Sequence, residues 1–125
     1  MDMASRATVM VVEDDHDIRD SLGIALSDAG YEVVDASNGR IALDRLATTL
    51  PEVILLDLMM PVLNGLEFLV EFRKNPQWTQ IPIIVASANR GYDAEDLGTF
   101  AVLRKPLDLD LLLDSVSKAL GLPAR

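Results

Sequence analysis

The sequence predicts an α/β domain built around a parallel sheet, and three observations predict it. Short apolar runs alternate with amphipathic stretches in a βαβα rhythm. Three of those runs, Val9–Val12, Val53–Leu56 and Ile83–Ala86, are apolar almost without interruption, as strands covered on both faces are. Polar residues capable of chemistry then follow four of the runs directly.

The elements follow in order. After the first strand, Ile18, Leu22, Ala25, Leu26 and Ala29 fall at helical spacing, and Gly30 stands where a helix commonly ends. Tyr31–Asp35 reads as the second strand. The next helix begins near Ser37-Asn38, carries Ile41, Leu43 and Leu46, and is limited by Pro51. Beyond the third strand, a helix around Leu66–Arg73 presents Leu66, Leu69, Val70 and Phe72 before Asn75-Pro76 breaks it. The fourth strand leads into 89–98, whose Gly, Asn and Asp content gives only a weak helical pattern, so one short helix or an irregular loop is expected. Phe100–Leu103 is the fifth strand. A last helix starts after Asp108 as N-cap, with Leu109, Leu112, Leu113, Val116 and Leu120 on one face and Gly121 beyond.

Composition narrows the function. The 125 residues fit one domain, half of them are hydrophobic, and a second output domain has no room. A net charge of −9 argues against nucleic-acid binding through phosphates, which needs clustered Lys and Arg. With no cysteine and a single histidine, His16, thiolate and multi-histidine metal centres are excluded. No apolar stretch is long enough to span a bilayer and Met1 to Ala7 lacks a signal layout, so a soluble cytoplasmic protein that does not engage membrane is expected.

In an open parallel sheet, ligands bind beyond the carboxyl ends of the strands. The residues there are Glu13-Asp14-Asp15, Asp57, Ser87 and Lys105. Taken singly, each has a plain reading as helix-start charge, turn residue, cap or solvated lysine. Plain readings predict no agreement between strands, yet all four positions fall on one edge. Crowded carboxylates with a backbone carbonyl make an oxygen-rich site suited to Mg²⁺. Asp57 is a carboxylate nucleophile able to form an acyl phosphate, with the metal and Lys105 offsetting phosphoryl charge and Ser87 donating a hydrogen bond.

These residues resemble a known family. Val11-Val12-Glu13-Asp14-Asp15, Asp57-Leu58-Met59-Met60-Pro61-Val62-Leu63-Asn64-Gly65, Ala86-Ser87-Ala88 and Lys105-Pro106 are similar to the receiver domains of two-component response regulators, from about Thr8 to Leu120. The resemblance implies a flavodoxin-like five-stranded parallel sheet of order 2-1-3-4-5, doubly wound. It divides the chain into a loose tail over 1–7, a receiver domain over 8–121 and a C-terminal tail over 122–125, a stand-alone regulator.

It also implies roles. Asp57 is the phosphoacceptor, taking its group from a phosphohistidine on a sensor histidine kinase or histidine phosphotransfer protein. Asp14 is the direct Mg²⁺ ligand, Glu13 acts through water, and Met59 gives its backbone carbonyl. Ser87 is the switch hydroxyl, Lys105 pairs with the phosphoryl group, and Lys105-Pro106 is a cis peptide. Such a protein modifies itself and turns over no separate substrate. Its downstream protein partner is unnamed by the sequence, and a homodimer stands open.

Two departures matter. Val102 stands where the family usually has Tyr or Phe, and Phe100 shares its strand parity without clearly replacing it, reading instead as a core or edge packing residue. Ser87 and Lys105 lie 18 positions apart, about one helical turn short of the usual receiver, so the fourth helix should be truncated. A modified signalling surface, or phosphoryl relay without that surface, is the expectation. Asn89, two positions past Ser87, lies where side chains influence acyl-phosphate lifetime. Competing classes are weaker: a haloacid-dehalogenase-like phosphatase needs a second acid where Met59 stands, a flavin-binding relative needs a phosphate loop after the first strand, and a receiver-shaped module that is never phosphorylated would not need all five polar residues.

Overall fold

The computed structural model describes residues 6–89 and 91–122. In chain order the elements are β1 Thr8–Val12, α1 His16–Asp28, β2 Glu32–Ala36, α2 Gly39–Leu46, β3 Val53–Asp57, α3 Gly65–Arg73, β4 Ile83–Ser87, α4 Ala94–Leu97, β5 Ala101–Arg104 and α5 Leu109–Ala119. The five strands form one parallel sheet in the order β2-β1-β3-β4-β5.

Strand alternation sends side chains to two separate cores. Met10, Val12, Ile54, Leu56 and Val85 face α2, α3 and α4, where Leu46, Phe68 and Leu97 are buried. Val9, Val11, Leu55 and Ile84 face α1 and α5, where Leu26 and Leu112 are buried. Burial on both faces accounts for the uninterrupted apolar runs of β1, β3 and β4. The edge strand β2 is half exposed and carries Glu32 and Asp35, charges that discourage further strand pairing.

Helix starts are set by short polar side chains. Asp15, Asn38, Asn64, Asp93 and Asp108 each accept a backbone N–H of the helix they cap, and Asn64 forms a reciprocal capping box with Glu67. Glycine is required where helices approach the β3–α3 loop: a Cβ on Gly39 would sit 2.4 Å from the Leu63 carbonyl oxygen, and one on Gly65 would sit 2.6 Å from Leu58 Cα.

Small boundary differences have local causes. Tyr31, expected to open β2, gives its N–H to the Leu26 carbonyl (3.1 Å) and so closes α1 instead. β3 and β4 each run one residue further than their apolar runs, because Leu58 N–H bonds Ala86 O (3.2 Å) and Lys105 N–H bonds Ser87 O (3.1 Å). Asp57 and Ser87 are therefore the last residues of strands and share their rigidity. β5 starts at Ala101, and Phe100 is 46% exposed rather than a core residue.

The truncated fourth helix is present. α4 is four residues long and ends at Gly98, whose φ of 68° is left-handed. Val102 packs against the α2–α3–α4 core, and Trp78 stacks on Phe72 with ring centroids 6.2 Å apart. The Lys105-Pro106 bond is cis. The tail expectations for residues 1–5 and 123–125 lie outside the described residues; Ala7 gives its carbonyl to Glu32 N–H (2.9 Å) and packs on the second core.

Candidate functional site

The carboxyl ends of β1, β3, β4 and β5 meet on one edge of the sheet. Glu13 prolongs β1, its N–H bonding Ala36 O at 3.0 Å, so its side chain is fixed from the strand. Asp57 ends β3. Both carboxylates are only 3% exposed. Lys105 reaches over from the end of β5 and places Nζ 3.1 Å from Glu13 Oε1 and 3.2 Å from Asp57 Oδ1. Backbone donors complete the hold: Asp15 N–H donates to Glu13 Oε2 at 3.2 Å, and Met59 N–H to Asp57 Oδ1 at 3.1 Å.

Asp14 lies on the solvent side of this pair and is exposed. One carboxylate oxygen from each of Glu13, Asp14 and Asp57 falls within 4.8 Å of the others. Such spacing is repulsive unless a cation intervenes, since like charges about 4 Å apart cost several kcal/mol at an effective dielectric near 20. One lysine does not suffice for three carboxylates. The Glu13 pKa is pushed from 4.5 up to about 7 by burial above all, then by the hydrogen bond and charge of Asp57, against the backbone bond from Asp15 and the Lys105 ammonium. Burial works against the Lys105 charge as well, but Glu13 and Asp57 outweigh it and hold its pKa above the usual 10.5.

The donor set fits a hard divalent cation. It is all oxygen, two members are buried beside a third that opens to solvent, and the chain supplies fewer ligands than Mg²⁺ takes, as suits an ion that keeps several waters.

Ser87 is fully buried at the end of β4, and Asp57 pairs in register with its neighbour Ala86. Its hydroxyl is turned away from the carboxylates: Oγ accepts from Asn89 N–H at 3.0 Å and donates to Asn89 O at 3.4 Å. The fold thus brings Glu13, Asp14, Asp57 and Lys105 together directly, and places Ser87 alongside with its hydroxyl bonded to Asn89. Met59 contributes an N–H here, and its side chain is 67% exposed.

Sequence reasoning passed over Arg19 and Arg104. Arg19, one turn into α1, donates from Nη1 to Glu13 O (2.8 Å) and lies 3.7 Å from Asp35 Oδ2, which pins the loop that carries the acidic residues. Its position six residues after Glu13 on the same connection was the available signal. Arg104 donates from Nη1 to Asn89 O (3.0 Å), tying β5 to the turn after Ser87. Nothing local in the sequence marks that contact.

Strand order and layering place the chain in the flavodoxin-like class of doubly wound folds. Within that class it belongs to the response regulator receiver domain family, which it matches over residues 9–117. It is 35% identical over 116 residues to the regulatory protein AtoC of Escherichia coli (strain K12), covering 91% of this chain and 25% of AtoC. It is 38% identical over 109 residues to the response regulator MprA of Mycolicibacterium vanbaalenii, covering 84% of this chain and 46% of MprA. The chain thus spans less than half the length of these relatives. The chemotaxis protein CheY4 of Vibrio cholerae superposes with a TM-score of 0.85 at 31% identity, covering 92% of this chain and 99% of that one. Among the described residues no helix is long and apolar enough to cross a membrane.

Proposed function

We propose that Asp57 accepts a phosphoryl group from a phosphohistidine, on a sensor histidine kinase or a histidine phosphotransfer protein, and that the modified protein changes its affinity for a downstream protein. A cytoplasmic location goes with that reading. The observation that carries it is the placement of Asp57: a buried carboxylate on a strand end, with a lysine and two further acids within reach and two N–H or ammonium donors on a single oxygen.

The chemistry follows from that hold. Met59 N–H and Lys105 fix Oδ1 and orient the carboxylate, leaving Oδ2 to attack phosphorus. An O–P bond forms as the N–P bond of the phosphohistidine breaks, and the departing imidazole takes up a proton. Transfer of this kind is governed by positioning and by neutralising the charge on the phosphoryl oxygens. Lys105 stays beside those oxygens, and Ser87 turns from Asn89 O to donate to one of them. Glu13, Asp14, Asp57 and the Met59 carbonyl would hold Mg²⁺, which, when bound, offsets the charge gathered on carboxylates and phosphoryl oxygens. Beside Lys105, a mostly apolar groove of about 390 Å³ between α1 and the β5–α5 loop, lined by Ile18, Leu22, Pro106 and Leu107, gives a donor protein a seat.

Intact-mass measurement after incubation with acetyl phosphate tests the proposal. Wild type with Mg²⁺ gains one phosphoryl mass, wild type without Mg²⁺ gains little, and Asp57→Ala gains none. Equal gain by the mutant removes Asp57 from the role.

A further inference from the structure

We infer that the flank of α3 left uncovered by the one-turn α4 is a docking surface for a basic amphipathic helix of a partner protein. The inference stands independently of phosphorylation. On α3, Leu66, Val70 and Arg73 are spaced i, i+4, i+7 and form one stripe. Arg73 donates from Nη2 to Leu97 O, which directs that stripe toward α4 and seats the end of α4 against the last turn of α3. Nine residues of α3 run about 13 Å and four of α4 about 6 Å, so α4 itself reaches along at most about half of the flank. The uncovered half is the one nearer Asp57.

That half is apolar and exposed. Leu66 is 38% and Val70 57% exposed, and Val62, in the loop entering the helix, is 76% exposed. Val62 also holds a left-handed φ of 72°. A β-branched residue in that conformation is strained, and a displayed, strained apolar side chain is a feature that packing inside this chain does not require.

Charge selects the occupant. Exposed Glu67 stands beside the stripe, and exposed Asp93, Glu95 and Asp96 crowd the start of α4. Of the described cations nearby, Lys74 lies 2.8 Å from Glu71, and Arg73, which bonds the neutral Leu97 carbonyl, keeps one positive charge against the four acids Glu67, Asp93, Glu95 and Asp96. A second copy of a chain with net charge −9 would bring acid against acid here. A helix with an apolar row flanked by Lys or Arg satisfies both the stripe and its rim.

The test uses the full chain and an 18-residue Leu/Lys peptide with its leucines on one helical face. Comparators are a scrambled isomer without that face and a Leu/Glu helix. Binding is followed by fluorescence anisotropy and by amide shifts. The amphipathic Leu/Lys helix should bind at least about tenfold tighter than either comparator and shift the amides of Leu66 and Val70. Leu66→Ser and Val70→Ser, which leave charge unchanged, should each weaken it several-fold while retaining the fold by circular dichroism. Equal binding of the scrambled peptide, binding unmoved by both substitutions, or self-association of the free chain through these residues would overturn the inference.

Discussion

Val62 and Glu13 each hold a conformation or charge state that an isolated residue avoids. At Val62 the left-handed backbone costs roughly 1–2 kcal/mol for a side chain branched at Cβ. Glycine relieves that strain but lets the unfolded chain gain about 0.5–1 kcal/mol of conformational entropy. Val62→Gly should therefore stabilise the protein by up to about 1.5 kcal/mol in urea unfolding, the side chain being too exposed to contribute packing. Glu13 gives a pH prediction. Its folded pKa of about 7 lies above the ordinary 4.5, so the folded state favours the protonated acid. That contribution is fully present below 4.5 and is lost as pH rises to about 7. Metal-free protein should lose thermal stability across that window, and Glu13→Gln should flatten the slope. Neither state was legible in the sequence. Val62 reads as an ordinary apolar loop residue, and the state of Glu13 depends on how deeply the fold buries it beside Asp57, which spacing along the chain does not reveal.

Elements were more legible than their ends. β1, β3 and β4 are recognisable because burial on both faces forces apolar runs, and the caps Asn38 and Asp108 because their side chains act within three residues. Of the boundaries that moved, those after Leu56 and Ala86 depend on hydrogen bonds to other segments, and that at Tyr31 on the bond that closes α1 onto Leu26. The short α4 was visible as a spacing deficit, whereas the flank it uncovers on α3 needed the Arg73–Leu97 contact. Between β3 and α3 the tightest approach is at Gly65, whose N–H bonds Leu58 O at 3.0 Å. An added Cβ there would lie 2.8 Å from the Asp57 carbonyl oxygen as well as on Leu58. Gly65→Ala should cost about 2–4 kcal/mol, because backbone rather than a flexible side chain must yield. It should also slow acyl-phosphate formation from acetyl phosphate, since the strand end carrying Asp57 is what moves. Ordinary stability with unchanged phosphorylation would show that the loop yields instead.

For the whole molecule, charge couples the site to global stability. The chain carries 20 acidic against 11 basic side chains, and three of the acids converge in one cluster. A cation that binds this cluster only in the folded state stabilises the fold by RT ln(1 + [L]/Kd), about 1.4 kcal/mol at ten times Kd. Screening of a net charge of −9 by any salt would also raise the melting temperature, so the comparison is Mg²⁺ against NaCl of equal ionic strength. Mg²⁺ should raise it by several degrees beyond NaCl. Asp14→Asn separates the two sources further. Asp14 is exposed and makes no packing contribution comparable to Glu13 or Asp57, so neutralising it removes repulsion at little structural cost. The metal-free mutant should melt above metal-free wild type, and its further gain with Mg²⁺ should be smaller, so that the two curves converge or cross as Mg²⁺ increases. A mutant less stable than wild type without metal would mean that Asp14 is held by attraction rather than crowded. Equal Mg²⁺ gains in both proteins would place the ion elsewhere on the acidic surface.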